Sequence, residues 1–94
     1  MMKVIKRSGQ EVEFDPIKIE NAIEKANNSI EVKSKRIGKR LIHLIATEIA
    51  EMYEASKRTR TVEYIQDLIE NKLIEYNAYA VAKEYITYRY KRDL

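Results

Sequence analysis

Sixteen residues near the N-terminus, Val4–Ile19 (VIKRSGQEVEFDPIKI), constrain the possible folds of this chain more than any other stretch. Val4–Arg7 and Glu11–Phe14 read as short strands joined through Ser8-Gly9, because a tight hairpin turn favours a residue that accepts positive φ without a Cβ clash. A two-residue loop sets Arg7 opposite Gln10, Lys6 opposite Glu11, Ile5 opposite Val12 and Val4 opposite Glu13. Cross-strand partners share a face, so Ile5, Val12 and Phe14 are expected to point toward a core. Asp15-Pro16 then starts a helix. Asp offers a carboxylate to free N–H groups, and Pro at the first helical position sacrifices no hydrogen bond. A lone hairpin is marginal in water and needs helices to lie against.

The remainder supplies those helices. Ile19, Ala22, Ile23 and Ala26 form one apolar stripe on a helix from Pro16 to Lys25 or Asn28. A second helix is expected after Ser34 as cap, burying Ile37, Leu41, Leu44, Ile45, Ile49 and Met52. Gly38 is out of place inside it, at about 1 kcal/mol against Ala, unless the helix starts later. Lys57-Arg58-Thr59-Arg60 reads as a basic loop. Thr61 caps a third helix with the stripe Ile65, Leu68, Ile69, Lys72 (by its stem) and Leu73, and Glu63 suits its N-terminal dipole. Asn77 is read as the cap of a fourth helix that buries Val81, Ala82 and Tyr85, with Ile86 and Tyr88 beside them. The expected fold is α+β, mostly α, an N-terminal β-hairpin packed on a four-helix bundle in one domain, residues 1–94. The tail Tyr88–Leu94 keeps a helical pattern without a stop signal, so the chain is expected to be a piece of a longer one.

Composition excludes several functions. Without cysteine there is no disulfide and no thiolate zinc site. His43 is the sole histidine and has no neighbouring ligands or nucleophile, so neither a metal centre nor a catalytic residue is expected. Two glycines cannot make a Gly-rich phosphate loop. No apolar run approaches the roughly 20 residues of a membrane span, and the expected location is cytoplasmic. A net charge of +3, with Lys and Glu mostly alternating, is too mild for a dedicated DNA binder. Phosphate binding stays open through Lys6, Arg7, Lys18, Thr61, Arg89 and Lys91. A small nucleic-acid-binding domain, using Lys33, Lys35, Arg36, Lys39, Arg40, Lys57, Arg58 and Arg60, and a docking module indifferent to nucleotide are the competing readings.

Val4-x-Lys6-Arg7-x-Gly9 followed by Phe14-Asp15-x-x-Lys18-Ile19 resembles the opening motif of the ATP-cone family. Thr61-x-x-x-Ile65-Gln66-Asp67-x-Ile69-Glu70 and Val81-Ala82-Lys83-x-Tyr85-Ile86-x-Tyr88-Arg89-x-Lys91-Arg92 are similar to that family's third and fourth helices, in the same order. The resemblance implies an allosteric module that binds ATP or dATP, with magnesium, and controls the overall activity of a ribonucleotide reductase. The tail looks most similar to the anaerobic, triphosphate-reducing enzyme. The alternative within the family is the cone of a nucleotide-responsive transcriptional regulator, disfavoured by the lack of an upstream zinc ribbon. The module itself would not be an enzyme. Its partners would be the nucleotide, the parent catalytic domain and, in some states, further copies.

By position, the resemblance places Val4, Lys6 and Arg7 in a lid over the nucleotide, Lys6 and Arg7 on its phosphates. Phe14 and Ile19 wall the base or ribose, and Lys18 reaches a phosphate. Thr61 bonds a phosphate oxygen, and Lys91 closes the site from the fourth helix. An acid near the sugar or phosphates would be Glu11 or Glu13. Contacts from Met52 or Tyr53 to the base are a weaker implication.

Overall fold

The computed structural model describes residues 2–92, with side chains through Lys91; Asp93 and Leu94 of the tail motif lie outside the described residues. Strand β1 (Lys3–Ile5) and strand β2 (Glu11–Glu13) form the hairpin, and helix α1 (Ile17–Asn28) follows directly. A 3-10 turn (Lys33–Lys35) leads to helix α2 (Lys39–Ala55), strand β3 (Arg60–Thr61), helix α3 (Val62–Glu75) and helix α4 (Tyr79–Arg92). Each helix packs on two others, α1 on α2 and α4, α3 on α2 and α4, so the four close into a ring. The architecture is the expected α+β, mostly α.

The hairpin register differs from expectation by one residue. Val4 pairs with Val12 and Ile5 with Glu11, around a three-residue loop, Arg7-Ser8-Gly9. The Lys6 N–H donates to Gln10 O at 2.9 Å, and Gly9 stands at φ +87°, the left-handed position that ends a loop of this length. A one-residue slip moves a strand's inward set to its other face. Val4, not Ile5, is therefore the core residue of β1, at 1% exposure, with Val12 and Phe14 packed against the same core.

The basic stretch before Thr61 is not merely a loop. Arg60–Thr61 pairs parallel to β1, Val4 with Arg60 and Ile5 with Thr61, so β1 is the central strand of three. Tyr53, buried at the end of α2, ties this seam: its hydroxyl donates to Lys3 O and accepts the Arg60 N–H at 2.8 Å. Two remote strands are joined through one phenol.

Helix ends follow local chemistry. Asp15 Oδ1 accepts the Ile17 N–H at 3.0 Å, the N-cap bond expected of it. Ser34 caps nothing: it sits in the 3-10 turn, and α2 starts only after Gly38, which is extended at φ −82°, ψ 163°. Asn27, buried at the end of α1, holds that junction; its amide donates to Ile37 O at 2.9 Å and accepts the Ile37 N–H at 2.8 Å. Thr61 caps α3 by accepting the Tyr64 N–H at 3.2 Å. Asn77 ends α3 rather than capping α4. At φ 61° it is the left-handed residue of a Schellman motif, with Asn77 N–H on Ile74 O and Ala78 N–H on Leu73 O.

The core takes Ile19, Ile23 and Ala26 from α1, Ile65, Ile69 and Leu73 from α3, and Val81, Ala82 and Tyr85 from α4. On α2 the buried set is Ile42, Ile45, Ala46, Ile49 and Tyr53, while Leu44 and Met52 are 46% and 45% exposed. Alpha2 carries two overlapping apolar stripes, and packing against α1 and α3 selects the one with Ile42 and Tyr53. Each fully buried Ile or Leu contributes about 1.5–3 kcal/mol. Among the described residues no helix is long and apolar enough to cross a membrane.

Candidate functional site

The hairpin tip, α1, α3 and α4 leave a cavity of about 580 Å³ between them. Its placement follows from the elements. Asp15-Pro16 turns the chain from β2 straight into α1, so Phe14 and the first turn of α1 (Lys18, Ile19) stand on one side. The β1–β3 pairing brings the N-terminal turn of α3 beside the hairpin, and Val62 and Glu63 form the opposite side. Two helix N-termini thus border the same opening, where free N–H groups and the helix dipole favour negative charge.

The lining is graded. At the mouth stand Lys6, Arg7, Ser8 and Lys18, all exposed. The interior is apolar, with Ile19, Ala22, Ile65 and Ile69 beside the ring of Phe14, and α4 adds Tyr85, Tyr88 and Arg89. Such a shape suits a ligand with a flat apolar body and an anionic tail. The ammonium groups of Lys6 and Lys18 stand in no ion pair among the described residues. Arg7 Nε donates to Glu63 Oε1 at 3.1 Å, linking the hairpin tip to the first turn of α3.

Arg89 is differently placed. Its Nη1 donates to Asp67 Oδ1 at 2.8 Å and to Glu70 Oε2. Burial works against its charge, but the hydrogen bonds and charges of the two carboxylates outweigh burial and hold its pKa above the ordinary value. Burial likewise pushes the Tyr85 hydroxyl up, so it stays neutral. Gln66 Oε1 is buried in the wall without a hydrogen-bond partner among the described residues, an uncommon state for a polar atom.

Of the residues singled out in the sequence, Lys6, Arg7, Phe14, Lys18 and Ile19 meet at this cavity. Val4 lies in the core and does not line it. Thr61 sits immediately before Val62, its hydroxyl engaged as the α3 cap. Lys91 is exposed on α4, two positions beyond Arg89, and is not in the lining. Glu11 and Glu13 are exposed on β2, Met52 is exposed on α2, and Tyr53 is committed to the β1–β3 seam. Sequence reasoning gave no cavity role to Glu63, Gln66 or Tyr88. The signal was helical spacing: Val62, Ile65, Gln66 and Ile69 share one face of α3, and Tyr85, Tyr88 and Arg89 one face of α4.

Residues 2–94 match the family model described as the ATP cone domain. The chain is 35% identical over 98 residues to the ribonucleoside-diphosphate reductase subunit alpha of Chlamydia trachomatis serovar D, covering 97% of this chain and 9% of that protein. It is 36% identical, over the same shares, to the subunit of the same name from Chlamydia muridarum. It is 34% identical over 92 residues to the anaerobic ribonucleoside-triphosphate reductase of Haemophilus influenzae, covering 97% of this chain and 12% of that protein. The chain therefore spans about a tenth of the length of these curated relatives.

Proposed function

This chain belongs to the ATP-cone family, and we propose that its cavity is the effector site through which ATP and dATP regulate a ribonucleotide reductase. A nucleotide-binding regulatory role follows from the family; the choice of effector and of parent enzyme is the proposal. The observation that carries it is the graded cavity, apolar inside and cationic at a mouth bordered by two helix N-termini. Lys6, Arg7 and Lys18 would engage the phosphates, with magnesium balancing the remaining charge. Phe14 and Ile19 would flank the base or ribose. Thr61 and Lys91, just outside the lining, would act on the phosphates only through a shift of α3 or α4, and Val4 would support the hairpin from below.

The names of the relatives support a reductase as parent; its catalytic region would be the covalent neighbour, and nucleotide-dependent association of copies would be the output. ATP and dATP differ by one hydroxyl. A site that hydrogen-bonds this group distinguishes the two, since its own polar atom is left unpaired by the deoxy form. A switch further requires each nucleotide to favour a different state, because equal affinity for both states shifts nothing.

Calorimetric titration of the chain with ATP and dATP in magnesium buffer tests the reading. Saturable binding of both with unequal affinity or stoichiometry is expected. No heat and no change in melting temperature with either would overturn it.

A further inference from the structure

Arg7 and Glu63 meet across the mouth of the cavity, Nε to Oε1 at 3.1 Å, and both line it. The pair joins the hairpin tip to the first turn of α3 across the cavity, on the side opposite the β1–β3 seam. It is also open to water, the side chains being 57% and 36% exposed. An exposed pair of this kind is weakly held. A phosphate is the stronger partner for the guanidinium, since it carries more charge and accepts its planar fork in two bonds.

We infer that Glu63 is a competitor for the ligand at this site: it holds Arg7 while the site is empty, and an entering phosphate takes Arg7 from it. Glu63 thereby sets the effector affinity below what the cations alone would give, and the exchange releases the hairpin tip from the first turn of α3. The inference rests on the nucleotide reading above and adds a residue that opposes binding. The geometry supports opposition in a second way. The Glu63 carboxylate shares the mouth with Lys6 and Lys18, so it faces the same space as the phosphates and repels them.

A four-protein cycle tests the exchange: wild type, Glu63→Gln, Arg7→Ala and the double variant, each titrated with ATP at fixed ionic strength and magnesium. Glu63→Gln is expected to bind ATP about threefold tighter, the scale of an exposed ion pair. In the Arg7→Ala background the same substitution should gain less. Glu63 lies in the first turn of α3, where an acid suits the dipole, so Glu63→Gln should also melt slightly lower. Tighter binding by a less stable protein is not the result of a purely structural role. Unchanged or weaker binding by Glu63→Gln overturns the inference while leaving the nucleotide site standing. An equal gain in both backgrounds overturns it as well, showing general repulsion rather than competition for Arg7. If no member of the cycle binds ATP, the nucleotide reading itself falls, and the exchange with it.

Discussion

Two of the charged clusters along α3 are built in opposite ways. Toward its C-terminal end, Lys72 reaches Glu48 of α2 at 3.2 Å and Glu75 at 3.3 Å, while the Tyr76 hydroxyl donates to Glu48. Every charge in that cluster meets its opposite, and the side chain of Lys72 is only 12% exposed. Near the N-terminal end, Lys6 and Lys18 stand around a hollow in no ion pair among the described residues, and the Glu63 carboxylate bonded to Arg7 is partly exposed. The closed cluster joins α2 to α3. The open one leaves the ammonium groups of Lys6 and Lys18 without an ion pair among the described residues, which is the physical difference between a fastening and a cluster with charge to spare.

Both clusters stand on one core, so the largest effect of any substitution should be common to them. Leu73 is fully buried in that core, and Leu73→Ala should lower stability by about 2–5 kcal/mol, read by urea unfolding. A loss below about 1 kcal/mol would mean that the two ends of α3 are separately supported.

The next effect should divide them. Lys6→Ala and Arg7→Ala are each expected to weaken ATP binding about tenfold, the scale of one charged contact, with little change in melting temperature. Lys72→Met should do the reverse, melting a few degrees lower with affinity unchanged. If Lys72→Met weakened ATP as much as Lys6→Ala, the contrast would be lost.

The smallest effect is a pH dependence confined to the closed cluster. The Tyr76 hydroxyl, with Lys72 beside it, holds the Glu48 carboxyl below its ordinary value of 4.5 against the opposing effect of burial. A lowered acid stabilises the fold above its unfolded pKa, and that contribution disappears as pH falls through the folded value. Lys72 is shifted upward despite burial, by its bonds to Glu48 and Glu75, so its contribution is full below 10.5 and disappears as pH rises through the folded value. The stability difference between wild type and Glu48→Gln should therefore be constant near neutrality and shrink below about pH 4.5. Parallel unfolding curves down to the acid limit would remove Glu48 from the fastening.

Much of this was legible in residue order. Asp15 and Thr61 are caps because their oxygens reach the next N–H groups, and the stripes of α1, α3 and α4 needed only helical spacing. What escaped depended on partners far along the chain. No local rule pairs Arg60-Thr61 with β1, since a two-residue strand has no pattern of its own. The hairpin register turned on whether Arg7 belongs to a strand or to the loop, and one residue there exchanged Ile5 for Val4 in the core. Alpha2 offered two apolar stripes, and only its neighbours choose between Met52 and Tyr53. The cavity was half legible: the hairpin and α1 carry a readable motif, whereas the contributions of α3 and α4 depend on which faces the ring of helices turns inward.

The central position of β1 has a consequence for how the molecule comes into being. Of the three strands, the one synthesised first is the middle of the sheet, and one of its two neighbours is Arg60-Thr61, which follows two helices later. Closing so long a loop is slow compared with forming a hairpin or a helix. The hairpin and α1 can form early, but the seam through Tyr53, and with it the far side of the cavity, must wait until α2 and β3 have been synthesised. Completing the cavity is thus a late event, and a chain interrupted before residue 60 would carry Lys6, Arg7 and Lys18 without the wall that α3 and α4 supply.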